Sequence, residues 1–217
     1  MSKFPLETIR HSAAHIMAAA VNKLFPGVMF DIGPSTADGF YYDFDISQRL
    51  IPEDLEKIED EIKAIINSRL PFEYFELNRQ EAEKMLQEKK QKYKIERLAD
   101  IPEGEKISFY KVGDFVDLCR GPHVEHTGQA GAIKLLSIAG SYYRGKESNP
   151  MLQRIYGTAF PDKKELNAYL QFIEEAKKRD HRKLGKELDL FSISEQIGGG
   201  LVLWHPKGAF VRNVFET

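Results

Sequence analysis

Two residue pairs of identical spacing, about a hundred positions apart, constrain this chain more than any other feature. "HSAAH" sets His11 and His15 four apart, and "CRGPH" sets Cys119, the only cysteine, and His123 four apart. Imidazole and thiolate are ligands that zinc prefers, and two such pairs supply four of them. The same groups without metal make a hydrolytic site, in which histidine moves protons and a thiol or water is positioned beside it. Either use requires a fold that returns residues 119–123 to the segment carrying His11 and His15. Each half also has a bland reading: two histidines on an amphipathic helix form a polar face, and a lone buried cysteine is a small hydrophobe. The coincidence of both pairs, with a Gly-Pro turn holding the second, points to a joint site.

The remainder of the chain reads as a soluble α+β protein. Its 217 residues suffice for one large domain or a domain with an appendage. Hydrophobic residues at 42% and charged residues at 29% are ordinary for a globular fold. No run of about 18 apolar residues predicts a membrane span, and "MSKFPLETIRH" lacks the apolar core of a secretory signal. A single cysteine forms no internal disulfide, which suits a reducing cytoplasm. The net charge of −2 excludes a global positive field, so any RNA contact must come from a local patch.

Ile9, Ala13, Ile16, Ala20 and Leu24 recur at helical spacing and predict a helix over 6–25, stopped by "FPG". His11 and His15 share one face of it, away from that stripe. "VMFDIGPSTADGFYYDFD" predicts two short strands around a Gly/Pro/Asp-rich turn. Pro52 opens a second helix carrying Leu55, Ile58, Ile62 and Ile65. "FEYFEL" alternates as a strand, and Asn78 with Glu81 forms a capping box for a helix to about residue 90. Residues 106–160 predict short strands in "ISFYKV", "FVDLC", "AIKLLSIAGSYY" and "QRIYGTAF". Asp162 with Glu165 then caps one long helix of about 24 residues whose second half is basic, from Lys177 to Lys186. That basic run reads first as a solvated face. The last thirty or so residues have no partner elements with which to bury a core. "GGG" at 198–200 lacks the spacing of a phosphate-binding loop and reads as a turn.

Two further residues bear on the joint site. Asp117 lies two before Cys119, so on a strand both project to the same face, where a carboxylate orients a histidine. Taken alone, Asp117 reads as a strand-end carboxylate in solvent. Lys94 falls where the pattern predicts the start of a strand, and in a stretch with Lys84, Lys89, Lys90 and Lys92 it reads as a solvated charge.

The blocks "RHSAAHIMAAAV", "IGPSTADGFYYDFD", "YKIERL", "VDLCRGPHV", "LLSIAGSYYRG", "MLQRIYGTAF", "KKELNAYLQFIEEAKKRDHRKLGKELDLF" and "LVLWHPKGAFVR" stand in the order found in bacterial threonyl-tRNA synthetases. The resemblance covers essentially all 217 residues, and the two pairs with "QRIYGTAF" are the signature of that family's second domain. A shorter version of the pairs occurs in alanyl-tRNA synthetases and related free-standing deacylases. The resemblance implies an α+β fold with a mixed or antiparallel sheet, the histidine-bearing helix laid across it, and an editing cleft where the pairs meet. It implies an editing domain at 1–161, a linker helix at 162–188 and a truncated start of the class II catalytic domain at 189–217. The ubiquitin-like domain, the ATP-binding motifs and the anticodon-binding domain of the family have no counterpart here.

By the same resemblance the domain hydrolyses the ester of seryl-tRNA(Thr). Serine lacks one methyl of threonine, and a pocket gains only about 1–3 kcal/mol of discrimination from one such group, so a second hydrolytic site is needed. The family's cleft maps onto His11, His15, Lys94, Asp117, Cys119 and His123, with Tyr42 near the substrate. His11 with Lys94 or Asp117 would hold or activate water, while His15, Cys119 and His123 would shape the pocket. No cofactor is implied for editing; ATP, magnesium and zinc belong to the catalytic domain of the full enzyme. The implied partner is the serine-bearing 3′ end of tRNA(Thr), with no membrane, in the cytoplasm, the full-length enzyme being a homodimer. Two alternatives stay open: a zinc-dependent deacylase of the alanyl-related type with metal on His11, His15, Cys119 and His123, and a non-catalytic RNA-binding module with structural zinc on the same residues.

Overall fold

The computed structural model describes residues 3–216. In chain order the elements are α1 (Leu6–Leu24), β1 (Met29–Phe30), β2 (Phe40–Asp45), α2 (Pro52–Asn67), β3 (Glu73–Leu77), α3 (Arg79–Glu88) and α4 (Lys92–Ala99). There follow β4 (Ile107–Val112), β5 (Phe115–Leu118), β6 (Ala132–Tyr142), β7 (Met151–Phe160), α5 (Lys163–Lys178), α6 (His181–Glu187), β8 (Phe191–Ile193), β9 (Val202–Trp204) and α7 (Pro206–Glu216). The chain divides into two compact units, Met1–Leu166 and Asn167–Thr217. Every strand pair among the described residues is antiparallel, in three sheets, so the fold is α+β.

The first unit is built around α1. Alanines at 13, 14, 18, 19 and 20 favour the helix and let neighbours approach closely; residues 12–21 are buried without a break. The helix is therefore surrounded, and the face carrying His15 is part of the interior instead of a solvated polar face. One side packs on a four-stranded sheet of order β1–β2–β7–β6. Phe40, Tyr42 and Phe44 alternate inward along β2 and join the core with Ile155 of β7. On another side lies α2, whose Ile58, Ile62 and Ile65 form one buried stripe. Pro52 opens α2, and the Asp54 carboxylate accepts the Ile51 N–H at 3.1 Å. The strands β6 and β7 run 11 and 10 residues. β6 fills nearly all of the predicted "AIKLLSIAGSYY", and β7 begins two residues before the predicted "QRIYGTAF", at Met151; a bulge between Leu135 and Ser137 lets their pairing continue past an irregularity.

A smaller sheet, β3–β4–β5, carries α3 and α4 on one face around Ala82, Leu86, Leu98, Ile107 and Phe109. The capping box forms as expected: Asn78 Oδ1 accepts from Glu81 N–H at 2.9 Å, and Glu81 Oε2 accepts from Asn78 N–H at 3.1 Å. Residues 92–99 are helical, not the start of a strand. Tyr93, Lys94 and Leu98 form the buried face of that helix, and its lysine, glutamate, arginine and leucine residues are good helix formers.

The single long helix expected after Asp162 is two helices. Asp162 does cap the first, accepting Glu165 N–H at 2.9 Å. At Asp180 the backbone leaves the helix, and the Asp180 side chain accepts Arg182 N–H at 2.8 Å as the cap of α6. In the second unit Gly208 lies so close to the Leu190 carbonyl that a Cβ would approach it to 2.0 Å. This hairpin-and-helix piece leaves Phe210 and Phe215 exposed at 71% and 85%, and its described residues form no buried hydrophobic core of their own. Residues 198–200 lie in the β8–β9 connection, as a turn.

A buried histidine, cysteine and ion-pair cleft

Three local structures aim the side chains of the site. His11 and His15 stand one turn apart on α1. Cys119 follows directly on β5, with its N–H donating to the Ser108 carbonyl at 3.1 Å and its own carbonyl accepting Ser108 Oγ–H at 2.8 Å. The chain then turns at Gly121, whose φ is +73° and where a Cβ would come within 2.5 Å of the Tyr110 hydroxyl. Both conditions call for glycine. The turn delivers His123 onto the Phe72 ring, 4.8 Å away and nearly parallel, with Tyr110 edge-on at 4.4 Å.

The two pairs meet. Cys119 Sγ is 3.3 Å from His11 Nε2 and 3.4 Å from His123 Nε2, and Gly121 N–H donates to the sulfur at 3.2 Å. The His123 ring centre lies 4.3 Å from that of His11 and 4.2 Å from that of His15. One ligand atom from each of the four residues falls within 4.8 Å of all the others.

Against this group sits a buried charge pair. Lys94 Nζ is 2.5 Å from Asp117 Oδ1 and donates to the Tyr42 hydroxyl at 3.0 Å, while that hydroxyl donates to Asp117 Oδ2 at 2.5 Å. His15 Nε2 lies 3.5 Å from the same carboxylate oxygen. Lys94 and Asp117 are 5% and 3% exposed, so neither is the solvated charge that its sequence surroundings suggest. Tyr42 is fully buried, and Gly33 rests on its ring where a Cβ would come within 2.1 Å.

Burial sets the protonation of these groups. It holds His11 below the usual imidazole range, with Asp117 acting in opposition. It holds His15 well below that range, helped by His11 and Lys94. His123 is lowered by burial and then by His15 and His11. The Cys119 thiol is pushed up to about 12 by burial and by Asp117, and the Tyr42 hydroxyl rises for the same two reasons. At neutral pH the cleft therefore holds three uncharged imidazoles and a protonated thiol beside an ion pair.

Hydrogen counting assigns one tautomer. Ser12 Oγ donates its only proton to the Thr8 carbonyl at 2.8 Å and accepts Val124 N–H at 3.0 Å. Its 3.2 Å contact with His123 Nδ1 thus has the ring nitrogen as donor, which leaves His123 Nε2 as the acceptor facing the cysteine thiol. Ser12, Phe72, Ser108 and Tyr110 were not singled out from sequence. Ser12 had a signal, standing between the two histidines; the other three depend on strand register and loop packing and had none.

All seven residues chosen from sequence thus lie in one contiguous cluster of the first unit. Residues 107–156, which span β4 to β7 and include Asp117, Cys119 and His123, match the family model of the threonyl and alanyl tRNA synthetase second additional domain. Over 97% of its length the chain is 58% identical to the threonine–tRNA ligase of Clostridium tetani, and 59% identical to that of Clostridium botulinum. It is 58% identical to the threonine–tRNA ligase of Carboxydothermus hydrogenoformans, again over 97% of its length. In each case the matched part is 33% of the relative, so the chain spans about a third of the length of the curated relatives it matches. It fits a fragment of a bacterial threonyl-tRNA synthetase. Among the described residues no helix is long and apolar enough to cross a membrane.

Proposed function

We propose that this cleft hydrolyses the ester bond of seryl-tRNA(Thr), and that the chain is the editing part of a cytoplasmic threonine–tRNA ligase. The observation that carries the reading is the placement of the Lys94–Asp117 pair and Tyr42 against neutral histidines in one cleft. Ester hydrolysis needs a group to take a proton from water and positive charge near the carbonyl oxygen. His11 is uncharged and only half-buried, so with the Cys119 thiol proton given to His123 Nε2 its own Nε2 would be the lone pair that takes a proton from water. The Lys94 ammonium supplies the positive charge, and Asp117 holds it in place. Cys119, as a thiol with its pKa at about 12, is no nucleophile at neutral pH. With His15 and His123 it forms the wall that receives the seryl group or the terminal adenosine.

Residues 1–161 are assigned to this activity, 162–188 to a linker and 189–217 to the start of the catalytic domain. Ligation of threonine, with its ATP, magnesium and zinc, and the homodimeric state belong in this proposal to the part of the relatives that the chain does not match. The test is release of serine from seryl-tRNA(Thr), with threonyl-tRNA(Thr) as the spared control.

A second reading follows from the donor set. Tetrahedral zinc with bonds of about 2.0–2.3 Å separates its ligand atoms by roughly 3.3–3.8 Å, and the 3.3 and 3.4 Å separations around Cys119 Sγ fit that range. His11, His15, Cys119 and His123 would hold the ion, which would polarise the ester carbonyl and lower the pKa of a bound water, or in a non-catalytic RNA-binding module only brace the fold. The metal-free reading is preferred, because Lys94 already brings a positive charge to the cleft. Metal content measured beside hydrolysis separates the three.

A further inference from the structure

Beside that cluster, α4 and the ends of β4 and β5 line an open pocket of about 190 Å³. Cys119 belongs to its wall, so it adjoins the cleft through that residue, and its other polar residues are Arg97, Lys106, Ser108 and Arg120. Arg97 lies three residues after Lys94 on α4, less than one helical turn of about 5.4 Å farther along. Three cations and a hydroxyl thus surround a cavity one residue away from the ester-binding cleft, and no carboxylate lines it.

We propose that this pocket takes a phosphate of the RNA 3′ end, namely the 5′-phosphate of the terminal nucleoside whose ester lies in the cleft. The inference rests on the seryl-tRNA reading above. A nucleoside with its 3′ or 2′ ester beside His11 carries its 5′-phosphate one ribose away. Cys119, which touches His11, also lines the pocket that holds the positive charge. Each cation has a carboxylate neighbour, and these differ in kind. Arg97 grips the buried Asp31 through Nε at 2.8 Å and Nη2 at 2.9 Å, which fixes the guanidinium and leaves Nη1 over. Lys106 and Arg120 pair with Glu76 at 2.9 Å and Glu105 at 2.8 Å, but their side chains are 79% and 75% exposed. Exposed pairs of that kind hold their partners weakly, so both cations can turn to a phosphate, which accepts more strongly charge-assisted hydrogen bonds. Ser108 is committed by its hydroxyl proton to the Cys119 carbonyl and offers only lone pairs, so the arginines and lysine carry the site.

The test uses two small substrates, 3′-O-seryl-adenosine and its 5′-phosphate, with the whole chain and the double variant Lys106→Gln/Arg120→Gln. In the wild type the phosphate should raise kcat/KM about tenfold, the effect of one or two charge-assisted contacts. In the double variant that ratio should fall to about one, and Arg120→Lys should retain most of it. With the phosphorylated substrate, the slope of log kcat/KM against log salt should flatten by about 0.7 on losing the contact. A wild-type ratio of one, with both substrates hydrolysed, overturns the phosphate pocket and leaves the editing reading standing. A ratio that persists in the double variant also overturns it. Failure of the wild type to hydrolyse even the unphosphorylated ester removes the editing reading, and the pocket's assignment with it.

Discussion

Two groups of charges in this molecule look alike on paper and differ in consequence. On α5 and α6 the basic run pairs with acids nearby in sequence: Lys177 with Glu174, Lys178 with Glu175 and Lys183 with Glu187 about one turn away, and Arg182 with the capping Asp180 two residues before it, at 2.8–3.9 Å. All of these basic side chains are more than half exposed. In the first unit one lysine and one aspartate, equally ordinary in sequence, meet at 2.5 Å under nearly complete burial and share a tyrosine hydroxyl. The first arrangement exchanges water for a neighbour at little gain. The second removes both ions from water, so each depends on the other. The exposed run is the solvated face that its sequence suggests, whereas Lys94, read from its lysine-rich surroundings as solvated too, is buried; the environment decides.

That difference can be broken on purpose. Asp117→Ala should have the largest effect, because it leaves the Lys94 ammonium buried and unpaired. Removing one partner of a buried pair commonly costs about 3–5 kcal/mol, to be read from denaturant unfolding. A loss no greater than that of a surface substitution would put water in the cleft. His11→Ala should leave unfolding nearly unchanged and lower seryl-tRNA hydrolysis by about 10²–10⁴-fold; an unchanged rate in a folded variant removes His11 from the mechanism.

Acid should act on the buried group before the exposed one. His11, His15 and His123 have pKa values lowered in the folded protein, so below about 6.5 the unfolded chain binds protons that the folded chain does not. Stability is therefore fully present above that pH and falls as pH drops below it, by up to about 1.4 kcal/mol per pH unit for each histidine. Unfolding free energies that stay level from pH 7 to pH 5 would mean the histidines titrate in place. The smallest effect is expected from the exposed run. Changing Lys178, Arg179, Arg182 and Lys183 to Gln should move neither the unfolding midpoint nor the salt dependence of tRNA binding. A flattened log-affinity against log-salt slope would show instead that the run meets phosphates.

Much of this arrangement was legible in the chain. The alanine-rich α1, the proline-started α2 and the capping box before α3 announce themselves through local rules, and the four-residue spacing of the two pairs identified the cleft's histidines and cysteine. The failures share a cause. Residues 92–99 mix the strand-favouring Tyr93 and Ile95 with good helix formers, so local preference is divided and packing on the smaller sheet decides for helix. The break at Asp180 is one side-chain cap inside a strongly helical run. The burial of Asp117 and Lys94 is a tertiary fact with no local signature, and Lys94 was singled out only through the family resemblance.

The cysteine separates the two chemical readings of the cleft. As a wall residue it tolerates Cys119→Ser with the fold and part of the activity retained. As a zinc ligand its loss should release metal and lower the Tm together, since an ion bound only by the folded state stabilises it.

The most direct measurement is the release of labelled serine from seryl-tRNA(Thr) by the protein after exhaustive chelation, beside threonyl-tRNA(Thr) in a parallel reaction. The account predicts serine release well above the buffer rate, undiminished by the chelator, with threonine spared and with the rate lost in His11→Ala. Serine release at the buffer rate by the folded protein would contradict it, and activity that disappears on chelation and returns with zinc would give the cleft to the metal.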